Sequence, residues 1–423
     1  MIILHSNYII LNKKSVKWIV GTIVLGGLAF ASYKIGAKTT IAADFNVFWQ
    51  AGKNYGDGVS LYQQIGGACR YIYPPFAAML FRFFALFSLQ TAAAIYCFVN
   101  FIMWFGVFYY TRAILRLCNI PKRNITIGLW VGFILSFRYF LYHLNFIQMN
   151  ELMLLMSLAG IKALFEKKNI LAIGLLVVAT FIKIIPVFIL IWALSKSKFK
   201  NYIYAAGFAL LCLGLPLVMR GIDTGVNDIK EYYETFLGPV SGGRVEVGVE
   251  NQGLSSALYK VFTITPDGTK YNYFISELPV DTLKMISKII LLILFASYAL
   301  LLGYAKFFRK TVSLLEISYI MLFTLLVSGI AWEYHFVSYG FVFTVLTAQY
   351  LNAPKNKRWP YYTLFFIALA NDIIGSSTVG FAWYYKSCGY SFLTLMALFV
   401  AVFQYMCYFS REKNYPIMEA FGK

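Results

Sequence analysis

In the stretch TIAADFNVFWQAGKNYGDGVSLYQ, Asp44 is an isolated carboxylate among aromatic and small residues, just past a strongly apolar segment. A carboxylate there can cap a helix by accepting from the free N–H groups of its first turn. It can also serve as a general base that takes the proton of an attacking hydroxyl. Few other groups could share such chemistry. Of three His, His5 lies in the N-terminal tail, while His143 in FRYFLYHLNFIQMNEL and His335 in LVSGIAWEYHFVSYG both fall at helix ends. A single His at a membrane edge is usually an interfacial polar group; two on the face that carries Asp44 point to a site. Lys183 and Arg138 lie in or beside apolar runs, where a charge is costly and is usually paired or functional. Either cation could hold a phosphate, and either could instead snorkel to the surface. Gln148, Asn150 and Glu151 open an apolar segment, where Glu151 also suits a helix N-terminus. In RVEVGVENQGLSSALYKVF, Glu250, Asn251 and Gln252 precede a short amphipathic helix. Such carboxamides serve equally as caps or as partners for sugar hydroxyls, and Arg70 and Tyr73 flank a Tyr-Pro-Pro turn close after Asp44.

Several chemistries are excluded. There is no GxxxxGK[ST], no GxGxxG after a strand, no HExxH and no GxSxG, so nucleotide, zinc-protease and serine-hydrolase motifs are missing. Asp44-Phe45-Asn46 is not a paired-acid metal motif, and no metal or other cofactor is expected. With no room for a nucleotide-binding domain, an enzyme of this kind needs an activated substrate delivered in the membrane.

The elements that must position these groups follow from composition. The 423 residues are 60% hydrophobic, 19% aromatic and only 13% charged, far from the composition of a soluble domain. The net charge of +19 is spread as short basic runs between apolar segments, which is the pattern of cytoplasmic loops and argues against nucleic acid as a partner. Six Cys occur without a CxxC pair; only Cys69 and Cys388 fall in polar loops, where they could pair. A crossing helix needs about 20 apolar residues. Segments 17 to 36, 90 to 115, 124 to 142, 149 to 166, 200 to 218, 281 to 305, 313 to 331, 335 to 351, 360 to 376 and 389 to 409 qualify. The start could also be read as a signal peptide, but a retained first helix fits the remaining topology.

Two places decide that topology. Residues 74 to 89 hold Arg82 and are short, so they read as an interfacial or re-entrant helix with prolines at its start. Residues 169 to 194 have basic runs on both sides, which predicts two short helices meeting near Lys183 and Pro186; one bent helix is the alternative and would invert everything downstream. The expectation is an all-α polytopic membrane protein of about twelve spans with both termini cytoplasmic. One domain covers 1–423, with non-cytoplasmic loops at 38–89 and 219–280.

Taken in order, six segments resemble glycosyltransferase family 87, the bacterial polyprenyl-phosphate-mannose-dependent mannosyltransferases of the GT-C superfamily. DFNVFWQAGKNYGDGVSLYQ is similar to the family's Asp-led first loop and YIYPPF to its Tyr-Pro-Pro. FIQMNELMLL is similar to its Gly-Gln-x-Asn, ATFIKIIPVFIL to its Lys-x-x-Pro, ENQGLSSAL to its Asn-Gln-Ser-Leu, and SGIAWEYHFV to its Ser-Pro-x-x-Trp-x-His-His. The resemblance spans about residues 40 to 340. Ile147 stands in place of the family's Gly, Gly253 of Ser, Gly329 of Pro and Tyr334 of the first His; the last change bears on the acceptor or the sugar.

The resemblance implies a GT-C fold, a polyprenyl-phosphate sugar donor, a lipid or glycan acceptor, and Asp44 as catalytic base. A phosphate leaves without protonation, so one base can suffice where a glycosidase needs two carboxylates. Lys183 and His335, then Arg70, are the expected phosphate partners. His143, Gln148, Asn150, Asn251, Gln252, Trp332 and Tyr73 are expected to orient the substrates, among membrane lipids of the bacterial inner membrane and on its non-cytoplasmic face. Inversion at a β-linked donor would give an α-mannoside. A flippase for a lipid-linked sugar is the rival reading, because broken helices and an intramembrane Lys also suit transport; a non-catalytic envelope scaffold is a third.

Overall fold

The computed structural model describes residues 13–40, 43–63, 70–241, 243–263, 274–309, 311–374, 380–410 and 416–419. The chain is built of helices. In order they are α1 (Lys13–Ala37), α2 (Asp44–Asp57), α3 (Pro75–Phe81), α4 (Leu89–Leu117), α5 (Lys122–Phe146) and α6 (Asn150–Phe165). Then follow α7 (Asn169–Ile182), α8 (Val187–Ser195), α9 (Phe199–Arg220), α10 (Ile222–Tyr232), α11 (Gly238–Ser241) and α12 (Leu254–Phe262). The last are α13 (Val280–Tyr304), α14 (Leu314–Leu326), α15 (Tyr339–Asn352), α16 (Trp359–Ile374), α17 (Phe381–Gly389) and α18 (Phe392–Phe409). A small antiparallel pair, β1 (Thr311–Ser313) with β2 (Pro416–Glu419), sets Val312 opposite Ile417.

This is a multi-pass membrane protein. Among the described residues six helices are long and apolar enough to cross a bilayer: Lys17–Ala37, Leu89–Leu117, Lys122–Phe146, Phe199–Arg220, Val280–Phe307 and Phe392–Phe409. Each expected span contains a helix, and the others are shorter, so length and apolarity single out six where about twelve were expected. α1, α9 and α13 turn large apolar side chains outward, among them Trp18, Ile23, Leu210, Val218 and Leu292, a surface that only a lipid phase would solvate. α14 is buried along its whole length and α15 from Tyr339 to Ala348, as expected for helices apolar all round. α5 and α15 meet backbone to backbone: a Cβ on Gly132 would fall 2.4 Å from the Gly340 carbonyl oxygen. The Gly128-x-x-x-Gly132 spacing thus works as a small-residue packing stripe.

Two features shape one end of the bundle. After Ile182 the chain leaves the helix at Lys183, which is extended (φ −149°, ψ 127°), and resumes as α8 after Pro186. Proline has no N–H for the helix ladder and pushes the residue before it out of the helical region. The segment 74 to 89 is the seven-residue α3, with Pro75 in its first turn, followed by a 3-10 turn at Phe84–Leu86; α3 is far too short to cross. The stretch 219–280, read from sequence as a large loop holding one short amphipathic helix after Gln252, contains that helix as α12 and also α10 and α11.

Candidate active site

α2 brings Asp44 to its place through one buried face. Phe45, Phe48, Ala51 and Tyr55 are buried; the Phe48 ring stacks on Phe81 at 5.1 Å, and Phe45 stacks on Tyr96 of α4 at 5.6 Å. Gly52 permits the close approach of α2 to α3, since a Cβ there would sit 2.5 Å from the Phe81 carbonyl. Asp44 is the first residue of this helix, and the end has no side-chain cap. Its Oδ2 accepts from Gln148 Nε2 at 2.8 Å and from the Tyr334 hydroxyl at 3.4 Å. Among the described residues Oδ1 has no hydrogen-bond partner and is open to take a proton. Burial raises the Asp44 pKa above the ordinary carboxylate range; the two hydrogen bonds and the positive charge of Lys183 offset this in part.

The Gln148 side chain is delivered by a tight reversal. α5 ends at Ile147, which adopts φ +49°, and the Gln148 N–H donates to the His143 carbonyl. Asn100 Nδ2 holds the Gln148 carbonyl at 3.2 Å. Two residues on, Asn150 opens α6 and accepts from Lys183 Nζ at 2.8 Å. Lys183 Nζ also lies 2.7 Å from His335 Nε2 and 5.6 Å from the Tyr73 ring centre. The His335 ring is fixed by the Trp332 N–H, which donates to Nδ1 at 2.9 Å.

Lys183, His335 and Asn150 stand on the wall of a cavity of about 70 Å³ whose remaining lining is largely apolar, with Met153, Leu154, Ile189, Met321 and Leu325 among it. A second apolar cavity of about 160 Å³ lies across the same chain break, against Pro74, Phe181, Ile184, Cys212 and Tyr232.

Asp44, Gln148, Asn150, Lys183, His335, Trp332 and Tyr73 are therefore gathered in one place. His143 is buried directly behind the turn, where its Nε2 accepts from the Glu151 N–H and its ring lies within electrostatic reach of Lys183 and His335. The remaining expected residues are not at this place. Asn251 is wholly engaged in holding its loop: it donates to the carbonyls of Glu246 and Gly329 and accepts from the N–H groups of Gly253 and Ala331. The Gln252 side chain donates to the Cys388 carbonyl, while its backbone carbonyl accepts from the Thr394 hydroxyl. Lys260 clamps the same loop with bonds to the carbonyls of Val249, Asn251 and Cys388. Arg70 is exposed, with no bond to the site among the described residues. Arg138 pairs with the buried Glu333, which the Cys388 thiol also approaches; Cys69 lies outside the described residues. Sequence reasoning missed Tyr334 as a contact of Asp44. Its only signal was the departure from the family's His.

Among the described residues no three His, Cys, Asp or Glu side chains are grouped to hold a metal. The model of glycosyltransferase family 87 matches residues 71–329. That stretch includes Tyr73, Gln148, Asn150 and Lys183, while Asp44, Trp332, Tyr334 and His335 join the site from outside it. No match to a curated protein was found.

Proposed function

The chain belongs to glycosyltransferase family 87, and from that premise we propose that it transfers mannose from a polyprenyl phosphate to a hydroxyl of a lipid or glycan acceptor, with inversion and on a GT-C fold. One observation carries the reading: the ammonium of Lys183, held by Asn150 and His335 with no carboxylate in ion-pair contact among the described residues, stands on the wall of an apolar cavity near Asp44. A cation whose direct contacts are neutral, with the Asp44 carboxylate only within electrostatic reach, is a receptacle for an anion, and an apolar cavity beside it suits the first isoprene units of a lipid phosphate.

In this mechanism the acceptor hydroxyl gives its proton to Asp44 Oδ1 as its oxygen attacks the anomeric carbon. The C–O bond to phosphate breaks on the opposite face, and the phosphate leaves with the electron pair. Lys183, steadied by Asn150 and His335, stabilises that growing charge in a site of low dielectric. Gln148 and Tyr334 keep Oδ2 occupied, so the proton goes to Oδ1. The reading invokes no metal or other cofactor. The basic runs at Arg112 to Arg123, Lys167 to Lys168, Lys196 to Lys200 and Lys306 to Lys310 support a site on the non-cytoplasmic face of the bacterial plasma membrane with both termini cytoplasmic.

The test uses the full chain in lipid nanodiscs with radiolabelled polyprenyl-phosphate mannose, a crude lipid extract as acceptor and a chelator present. Label entering a new glycolipid or glycan with wild type and not with Asp44→Asn is the expected result. Equal transfer by Asp44→Asn, or label moved only between leaflets in the matching liposomes, would overturn it.

A further inference from the structure

The proposed transfer makes no use of a charged pair that lies behind the 3-10 turn Glu333–Ser338. Glu333 is buried, and its Oε1 accepts from Arg138 Nη2 of α5 and from the Cys388 thiol of α17 at 3.5 Å. Arg138 Nη1 donates at 3.1 Å to the Asn371 carbonyl of α16. The two prongs of one guanidinium thus join the turn to α16, in the fixed fork geometry that a lysine lacks. Beside them the Tyr139 hydroxyl donates to Asp372 at 2.9 Å and accepts from Asn371 Nδ2 at 3.3 Å, which gives the same stretch of α16 a second hold on α5.

The two residues that follow Glu333 go to the site. The Tyr334 hydroxyl donates to Asp44 Oδ2, and His335 Nε2 lies 2.7 Å from Lys183 Nζ. A 3-10 turn has three residues per revolution, so three consecutive side chains point in three directions: 333 toward the helices, 334 and 335 toward the catalytic groups. The chain just ahead is also held. Asn251 binds the Gly329 carbonyl and the Ala331 N–H, and the Gln252 N–H donates to the Ala331 carbonyl at 2.6 Å. Those neutral bonds end at residue 331, two positions before the carboxylate of Glu333. A buried ion pair adds little net stability over uncharged residues of the same volume. What it does impose is one geometry, because a carboxylate and a guanidinium prong bond well only when aligned.

Resting on the transferase reading, we propose that Arg138 and Glu333 are positioning residues of the transfer. Their ion pair fixes the turn against α5 and α16, so that His335 meets Lys183 at the donor phosphate and Tyr334 meets Asp44. Neither residue touches a reacting atom.

The test uses the full chain in lipid nanodiscs, with labelled polyprenyl phosphate to read affinity and labelled polyprenyl-phosphate mannose with a crude lipid extract to read transfer. Arg138→Met, Glu333→Gln and the double variant carrying both are compared with wild type. Each single variant strands a buried charge and should unfold at a lower temperature; the double variant strands none and should unfold near wild type. Its Kd for polyprenyl phosphate should nevertheless rise about tenfold, the scale of one lost bond to a charged group, and turnover per folded molecule should fall with it. Because the two residues act as a unit, the double variant should bind no worse than the weaker single variant. Arg138→Lys, which keeps the charge and loses the fork, should recover part of the affinity lost in Arg138→Met. Wild-type affinity and wild-type turnover per folded molecule in the double variant or in Glu333→Gln would overturn the proposal. Polyprenyl phosphate bound by wild type with no label transferred would overturn the transferase reading, and the affinities of the variants would still decide the positioning. Neither binding nor transfer by wild type would overturn both.

Discussion

The nine-residue helix α8 has a lysine beyond each end, Lys196 buried and Lys183 half-buried, and the two are treated oppositely. Lys196 lies 2.7 Å from Glu316, whose Oε1 also accepts from the Trp192 indole at 2.8 Å and whose Oε2 caps the start of α14. Lys183, at the other end, meets a carboxamide, an imidazole and an aromatic face. Leaving a buried charge uncompensated costs several kcal/mol. The neutralised lysine is a strut that ties α8 to α14; the lysine with only neutral groups in direct contact keeps its capacity for an anion. Residue type is alike at both places, and the partner separates structure from chemistry.

Substitutions at the base and at the two ends of α8 test this division. The largest effect is expected at the base: Asp44→Asn should lower turnover by about 10²- to 10⁴-fold with lipid-donor binding retained, as read by single-turnover transfer and donor affinity. Next, Lys183→Met should cost about 10²- to 10³-fold in kcat/KM, on the scale of one lost electrostatic stabiliser. It should leave the unfolding temperature equal or higher, because a half-buried charge with no directly contacting anion is removed. At the far end the pattern inverts: Glu316→Gln should destabilise the protein by about 3–5 kcal/mol in thermal unfolding while activity per folded molecule holds. If Glu316→Gln instead lost turnover at full stability, the division between the two lysines would be wrong.

A smaller effect concerns pH. Asp44 acts when deprotonated, and burial raises its pKa, so activity should fall with decreasing pH on a limb set above the ordinary carboxylate range. Gln148→Leu removes a bond that favours the charged form, and should move that limb higher still. The smallest change is expected of Tyr334→Phe, whose 3.4 Å bond to Asp44 is long. A shift of the limb in the same direction but by less than with Gln148→Leu is the outcome to look for in the rate profile.

Much of this site was legible because it interrupts apolar runs. Asp44 stands out just past a hydrophobic segment, and Lys183 with Pro186 breaks one that would otherwise cross unhindered. The carboxamides were not separable in this way. Gln148 and Asn150 reach the site, while Asn251 and Gln252 bind backbone 78 to 136 residues distant, and a carboxamide looks the same in sequence whichever it does. Tyr334 touches a carboxylate 290 positions away, a relation no local pattern contains. The short helices α10 and α11 were read as loop because each is too small to show a periodicity of its own, whereas the amphipathic α12 after Gln252 was expected.

Ile147 completes the picture of the turn that delivers Gln148. Where the family motif has glycine, a β-branched residue occupies the left-handed region at φ +49°, at a cost of about 1–2 kcal/mol. A glycine would reach that geometry freely and would leave it as freely. Isoleucine prefers other backbone states, so it is the packing around its buried side chain that holds the turn, and the carboxamide of the next residue inherits that bearing. Seen in this way, the reversal between α5 and α6 is less a loop than a set screw, holding the aim of one side chain against thermal drift.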